Sequence, residues 1–160
     1  NLPRVLSDPE DLEARGAMLK AAAFAGAAIE HSMLGAAHAA ANPLTARCGI
    51  AHGHAVGLML PHVVRFNALE SEIGEIYADL ARGGGVCSAD TADSEAIELL
   101  IARLDSVLQA TGLPCRLQEL GVDASRHEAL AEEALEQWTA QFNPRPVALA
   151  DFQTLLGMAS

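Results

Sequence analysis

Residues 33 to 67 read MLGAAHAAANPLTARCGIAHGHAVGLMLPHVVRFN, and this stretch, from Met33 to Asn67, decides how the rest of the chain is read. It holds four of the six histidines, His38, His52, His54 and His62, with two prolines, Pro43 and Pro61. Arg47 and Arg65 are its only formally charged residues, in a chain of net charge −11. A nearly uncharged setting keeps an imidazole neutral, with a nitrogen lone pair free for a divalent metal. The stretch is therefore expected to form the wall of a site, shielded from the acidic surface. His38 and His52 are the candidate pair. Spacing alone is a weak signal, because histidines 14 apart in an apolar helical region are more often packed and hydrogen-bonded than metal-bound.

Working outward, the pattern is helical throughout. Ser7-Asp-Pro-Glu10 reads as a capping box opening a helix that ends near His31, its small residues from Ala21 to Ala28 suited to a close neighbour. Gly35 to Ala41 predicts a short helix stopped by Pro43, and a second helix is expected from Gly53 to about Asn67, kinked at Pro61. Leu69, Ile73, Ile76, Tyr77 and Leu80 form an apolar stripe ending at Gly83. Another helix starts near Asp93 and ends at Gly112, and a short one runs through Leu117 and Leu120 to Gly121. Ser125 to Glu128 reads as a second capping box for a helix bearing Leu135 and Trp138, and Val147 to Met158 predicts the last helix. No strand and no internal repeat is found. The fold class is all-α, one helical bundle over residues 1–160.

Composition agrees. Apolar residues make up 51% of the chain but aromatics only 4%, an alanine-led share that favours helices in close approach. A single domain of this size buries roughly 68 to 70% of the surface of its unfolded chain. With 21 acidic against 10 basic residues, the chain lacks the clustered cations that a nucleic acid or an anionic membrane requires. Cys48, Cys87 and Cys115 lie far apart with no Cys-x-x-Cys pair, so no disulfide framework or zinc ribbon is expected, and a reducing cytoplasmic setting fits best. The most apolar run, Ala17 to Ile29, contains Lys20 and falls short of the ~20 residues a membrane span needs.

The run from Gly35 to Asn67 closely resembles the C-terminal domain signature of the iron-containing alcohol dehydrogenases, metal-dependent, nicotinamide-linked oxidoreductases. In that family a Gly-x-x-His supplies one metal ligand and a His-Gly 14 residues later another, and His38 and His52 match these positions. Leu60-Pro61-His62 and Phe66-Asn67 match the same signature, while Leu113-Pro114 through Leu120-Gly121 and Asn143-Pro144-Arg145 resemble later segments, so most of the chain is covered. The resemblance implies a helical domain, dehydroquinate synthase-like in fold, facing an α/β dinucleotide-binding domain. It implies Fe(II) or another divalent metal such as Zn, and NAD(P), in the cleft between the two. The substrate class it implies is a small alcohol or aldehyde, with a homo-oligomer as a possible assembly.

The chain departs from the signature at Asn42, which stands where many members have a second histidine thought to help in proton transfer; Thr45 replaces a usual glycine and Ala51 often a proline. Asn42 and His54 are the candidates for the substrate side, His54 having the simpler reading of a surface histidine. The family's remaining ligands, an Asp and a third His, are implied to lie on a helix roughly sixty residues before the first, which places them before Asn1. The chain, which opens on Asn1, is therefore expected to be a fragment lacking the N-terminal dinucleotide-binding domain and inactive by itself. The rival reading is a stand-alone helical interaction or metal-binding module without catalysis.

Overall fold

The computed structural model describes all 160 residues and contains no strand. Eight α-helices follow one another: α1 (Leu2–Ser7), α2 (Leu12–Ser32), α3 (Ala36–Cys48), α4 (His52–Asn67), α5 (Ser71–Gly83), α6 (Asp93–Ala110), α7 (His127–Leu135) and α8 (Leu149–Met158). Three short 3-10 turns, Gln118–Leu120, Ala124–Arg126 and Trp138–Phe142, join the later ones. No helix is long and apolar enough to cross a membrane.

The core is assembled by α3, α4, α7 and α8. Leu44, Leu58, Met59, Phe152, Leu155 and Leu156 fill it, joined by Leu117 and Val122 from the connecting turns. Ala36, Ala39, Ala40 and Ala41 are wholly buried on α3, so that helix offers little more than methyl groups and its neighbours come close. A smaller cluster of Ala78, Ala81 and Ala96 fastens α5 to α6.

The expected helices are present except the short one through Leu117 and Leu120, which is only a 3-10 turn, and four further corrections apply. Ser7 does not cap the first long helix; it ends α1, and the Asp11 carboxylate caps α2 by accepting the Ala14 amide at 2.9 Å. Pro43 does not stop α3, which runs on to Cys48 and closes at Gly49 in the left-handed conformation (φ 70°). A proline inside a helix costs about 3 kcal/mol, but Pro43 and Leu44 lie in the core beside the buried alanines, and packing of that turn outweighs the lost bond. Ser125 does not cap α7; Asp123 starts a 3-10 turn by accepting the Ser125 amide at 2.9 Å, and α7 begins after it. Trp138 lies beyond α7, in the 138–142 turn.

The small residues of α2 also fail to meet the close neighbour expected of them. Ala14 is its one buried residue, while Leu12, Leu19 and Phe24 are 80%, 75% and 74% exposed. Its principal neighbour is the six-residue α1, tied to it by the Arg4 guanidinium, which donates to Asp11 and Glu13.

Candidate metal centre

Helix α3 starts abruptly. Gly35 is extended (φ −128°, ψ −153°) and has no side chain with which to cap the exposed amides of the first turn. The cap comes from far along the chain: the Ala36 amide donates to Asn143 Oδ1 at 3.1 Å. A Cβ at position 35 would lie 2.9 Å from that oxygen, so glycine is needed for the approach itself. His38 follows as the third residue of α3, half-buried.

Helix α4 starts at His52, which is exposed and preceded by Ala51 as N-cap. The His38 and His52 rings meet across the two helices, with centroids 5.4 Å apart and planes at 51°. Two imidazoles sharing a metal at the usual ~2.0–2.1 Å metal–nitrogen distance have centroids roughly 4.5 to 5.5 Å apart, so the observed separation lies at the upper end of what a common ion requires. Burial, and secondarily the neighbouring His52, pushes His38 below the ordinary histidine pKa, which keeps its nitrogen lone pair available near neutrality. No third His, Cys, Asp or Glu completes a metal-binding group with them. The structure thus brings two imidazoles together with no third candidate ligand beside them.

The other candidates are placed differently. Asn42 lies one helical turn beyond His38, on the same face of α3, and donates through Nδ2 to Gln137 Oε1 at 2.9 Å. His54 sits two residues after His52, about 200° around α4. Its Nε2 lies 2.8 Å from the Pro114 carbonyl, which can only accept, so Nε2 carries the proton and the ring braces the 113–114 turn. It is half-buried rather than a surface side chain. His62 is turned into a separate cleft of about 410 Å³ lined by Asp105, Gln109, Cys115 and Arg116. Cys48, Cys87 and Cys115 are all free thiols.

Sequence reasoning gave no role to the group behind α3. Asn67, the last residue of α4, and Asn143 are both buried and paired reciprocally, Asn143 Nδ2 donating to Asn67 Oδ1 at 2.7 Å and Asn67 Nδ2 to Asn143 Oδ1 at 3.3 Å. Asn67 Nδ2 also donates to the Tyr77 hydroxyl at 3.0 Å. Next to them Arg145 stacks 3.9 Å over the Phe66 ring and donates to the Phe66 carbonyl at 2.6 Å. The signals available beforehand were the match of Phe66-Asn67 and Asn143-Pro144-Arg145 to the family signature and the turn that Asn-Pro marks, none of which pairs the two asparagines.

Comparison with known proteins adds a family. The profile for the Fe-containing alcohol dehydrogenase family, C-terminal, matches residues 1–160. A 1-propanol dehydrogenase of Salmonella typhimurium is 35% identical over 159 residues, covering 97% of this chain and 43% of its own length. A 1,3-propanediol dehydrogenase of Klebsiella pneumoniae is 33% identical over 145 residues, covering 91% of this chain and 37% of its own. The crystal structure of a 1,3-propanediol oxidoreductase superposes with a TM-score of 0.93 at 31% identity, over 100% of this chain and 41% of the other. The chain thus spans about two-fifths of the length of the relatives it matches.

Proposed function

The chain belongs to the iron-containing alcohol dehydrogenase family, and we propose that His38 and His52 hold the catalytic divalent metal of a nicotinamide-linked dehydrogenase acting on a small alcohol or aldehyde. The observation that carries this reading is the ring pair, 5.4 Å apart on two helices, with His38 held neutral by burial. Imidazole donors of this kind suit iron(II) or zinc. When bound, such an ion supplies Lewis acidity at the alcohol or carbonyl oxygen while hydride passes to or from NAD(P).

The chain's own contribution is placement. His38 is fixed by the first turn of α3 and His52 by the first turn of α4, so the two nitrogens are presented from separate rigid elements. Catalytic metal sites usually have three protein ligands; the remaining carboxylate and imidazole are proposed to lie outside these 160 residues, together with a dinucleotide-binding domain. Asn42 is proposed to line the substrate side, its amide oriented by Gln137. His54, about 200° around α4 from His52 and with its Nε2–H on the Pro114 carbonyl, is read as a brace for the 113–114 turn rather than a substrate-side group. The relatives named for 1-propanol and 1,3-propanediol support a three-carbon primary alcohol or diol as the substrate class.

The test follows the histidine ring signals by NMR as Co(II) is added anaerobically. His38 and His52 signals are expected to broaden together at low metal, and His38→Ala or His52→Ala to abolish the effect. A first response at His54, His62 or His127, or independent responses of His38 and His52, would overturn the ligand assignment.

A further inference from the structure

Both ends of α4 address the first turn of α3. At its start His52 faces the His38 ring; at its end Asn67 grips Asn143, which caps Ala36 two residues before His38. We propose that Asn143, fixed by Asn67, is a positioning residue that sets the separation of the His38 and His52 rings; its relevance to a metal rests on the function proposed above.

Every hydrogen-bonding position that counts on the Asn143 amide is in use. Nδ2 donates to Asn67 Oδ1 and to the Arg145 carbonyl, each at 2.7 Å, while Oδ1 accepts from the Ala36 amide and from Asn67 Nδ2. The Ala36 N–H can only donate and the Arg145 carbonyl can only accept, so the amide has one orientation and no alternative flip. Asn143 is buried, so water does not substitute for a lost partner. The contact across to α3 is also sterically closed, because position 35 has no room for a methyl group on the Asn143 side. Loss of this cap frees the first turn of α3, which carries His38, while His52 stays where α4 holds it. A metal tolerates only about 0.2 Å of error in its bond lengths, so a loosened turn matters more to the ring pair than to the fold.

The test reads two quantities in the protein: the NOE between the His38 and His52 ring protons without metal, and the affinity and visible absorption of Co(II). Asn143→Ala and Gly35→Ala break the same contact from opposite sides, and Gly35→Ala leaves every polar group in place. Asn143→Asp keeps the oxygen that accepts from Ala36. Tyr77→Phe removes a hydrogen bond from the far end of the network and serves as the control for stability alone. The expected result is loss of the ring NOE and about tenfold weaker Co(II) binding with an altered spectrum in Asn143→Ala and Gly35→Ala. Asn143→Asp should recover only part of both signals, because its second oxygen faces Asn67 Oδ1 and the Arg145 carbonyl where Nδ2 donated, and Tyr77→Phe should match the wild type in both whatever its melting temperature. If Asn143→Ala does not fold, Gly35→Ala decides. A wild-type NOE in Gly35→Ala, or changes that track melting temperature across all four variants, would overturn the proposal. If the NOE behaves as expected but the wild-type protein binds no Co(II), positioning stands and the metal reading falls.

Discussion

His62 shows what burial does to a single titratable side chain. Enclosure pushes its pKa down, Asp105 opposes that shift, and Arg65 adds to it. Folding therefore lowers proton affinity at this ring, and the unfolded chain binds more protons below the usual histidine value of about 6.5. Stability is greatest above that pH and declines as the pH falls below it. Melting curves between pH 7.5 and 5 are expected to show this fall, and His62→Gln to flatten it; an unchanged slope in the variant would assign the acid sensitivity elsewhere. His38 and His52 are legible as neighbours because both match one family signature, their spacing alone being a weak signal. Asn67 and Asn143 are not, since 76 residues separate two side chains whose meaning lies wholly in their contact.

Helix boundaries divide in the same way between local and distant causes. The ends of α5 and α6 follow apolar spacing and acidic first turns and lie close to where the sequence puts them. Pro43 defeats the local rule because core packing holds α3 together past it, and no single-sequence rule weighs that contribution. Capping failed differently: Ser7 and Ser125 fit the sequence motif, but Asp11 and Asp123 make the bonds. Asp11 is the better place to test a cap, for it also receives the Arg4 guanidinium at 2.8 Å. Asp11→Ala should cost about 1 kcal/mol and lower helix content by far-UV circular dichroism, with the loss confined to α1 and α2. A variant as helical as the wild type would show that α2 begins without it.

For the molecule as a whole, the distribution of buried surface sets the response to mutation. Phe152 is fully buried in the cluster that unites α3, α4, α7 and α8, whereas Phe24 is 74% exposed on α2. Phe152→Ala is expected to cost about 3 to 5 kcal/mol, a large part of the ~5–15 kcal/mol that holds a domain together. Phe24→Ala should stay within about 0.5 kcal/mol. Chemical denaturation of the two variants reads the difference directly, and similar losses would mean that α2 shares the core. The all-helical class was plain from alanine content and periodicity; which helices share the core was not, because α2 and α3 are both small-residue helices and only three-dimensional packing separates them. The Ala36–Asn143 cap has a further consequence, in time. The donor precedes its acceptor by 107 residues. A ribosome adding ~5–20 residues per second exposes the uncapped start of α3 for roughly 5 to 20 s before Asn143 is made. During synthesis, then, the turn that carries His38 is made well before the residue that caps it.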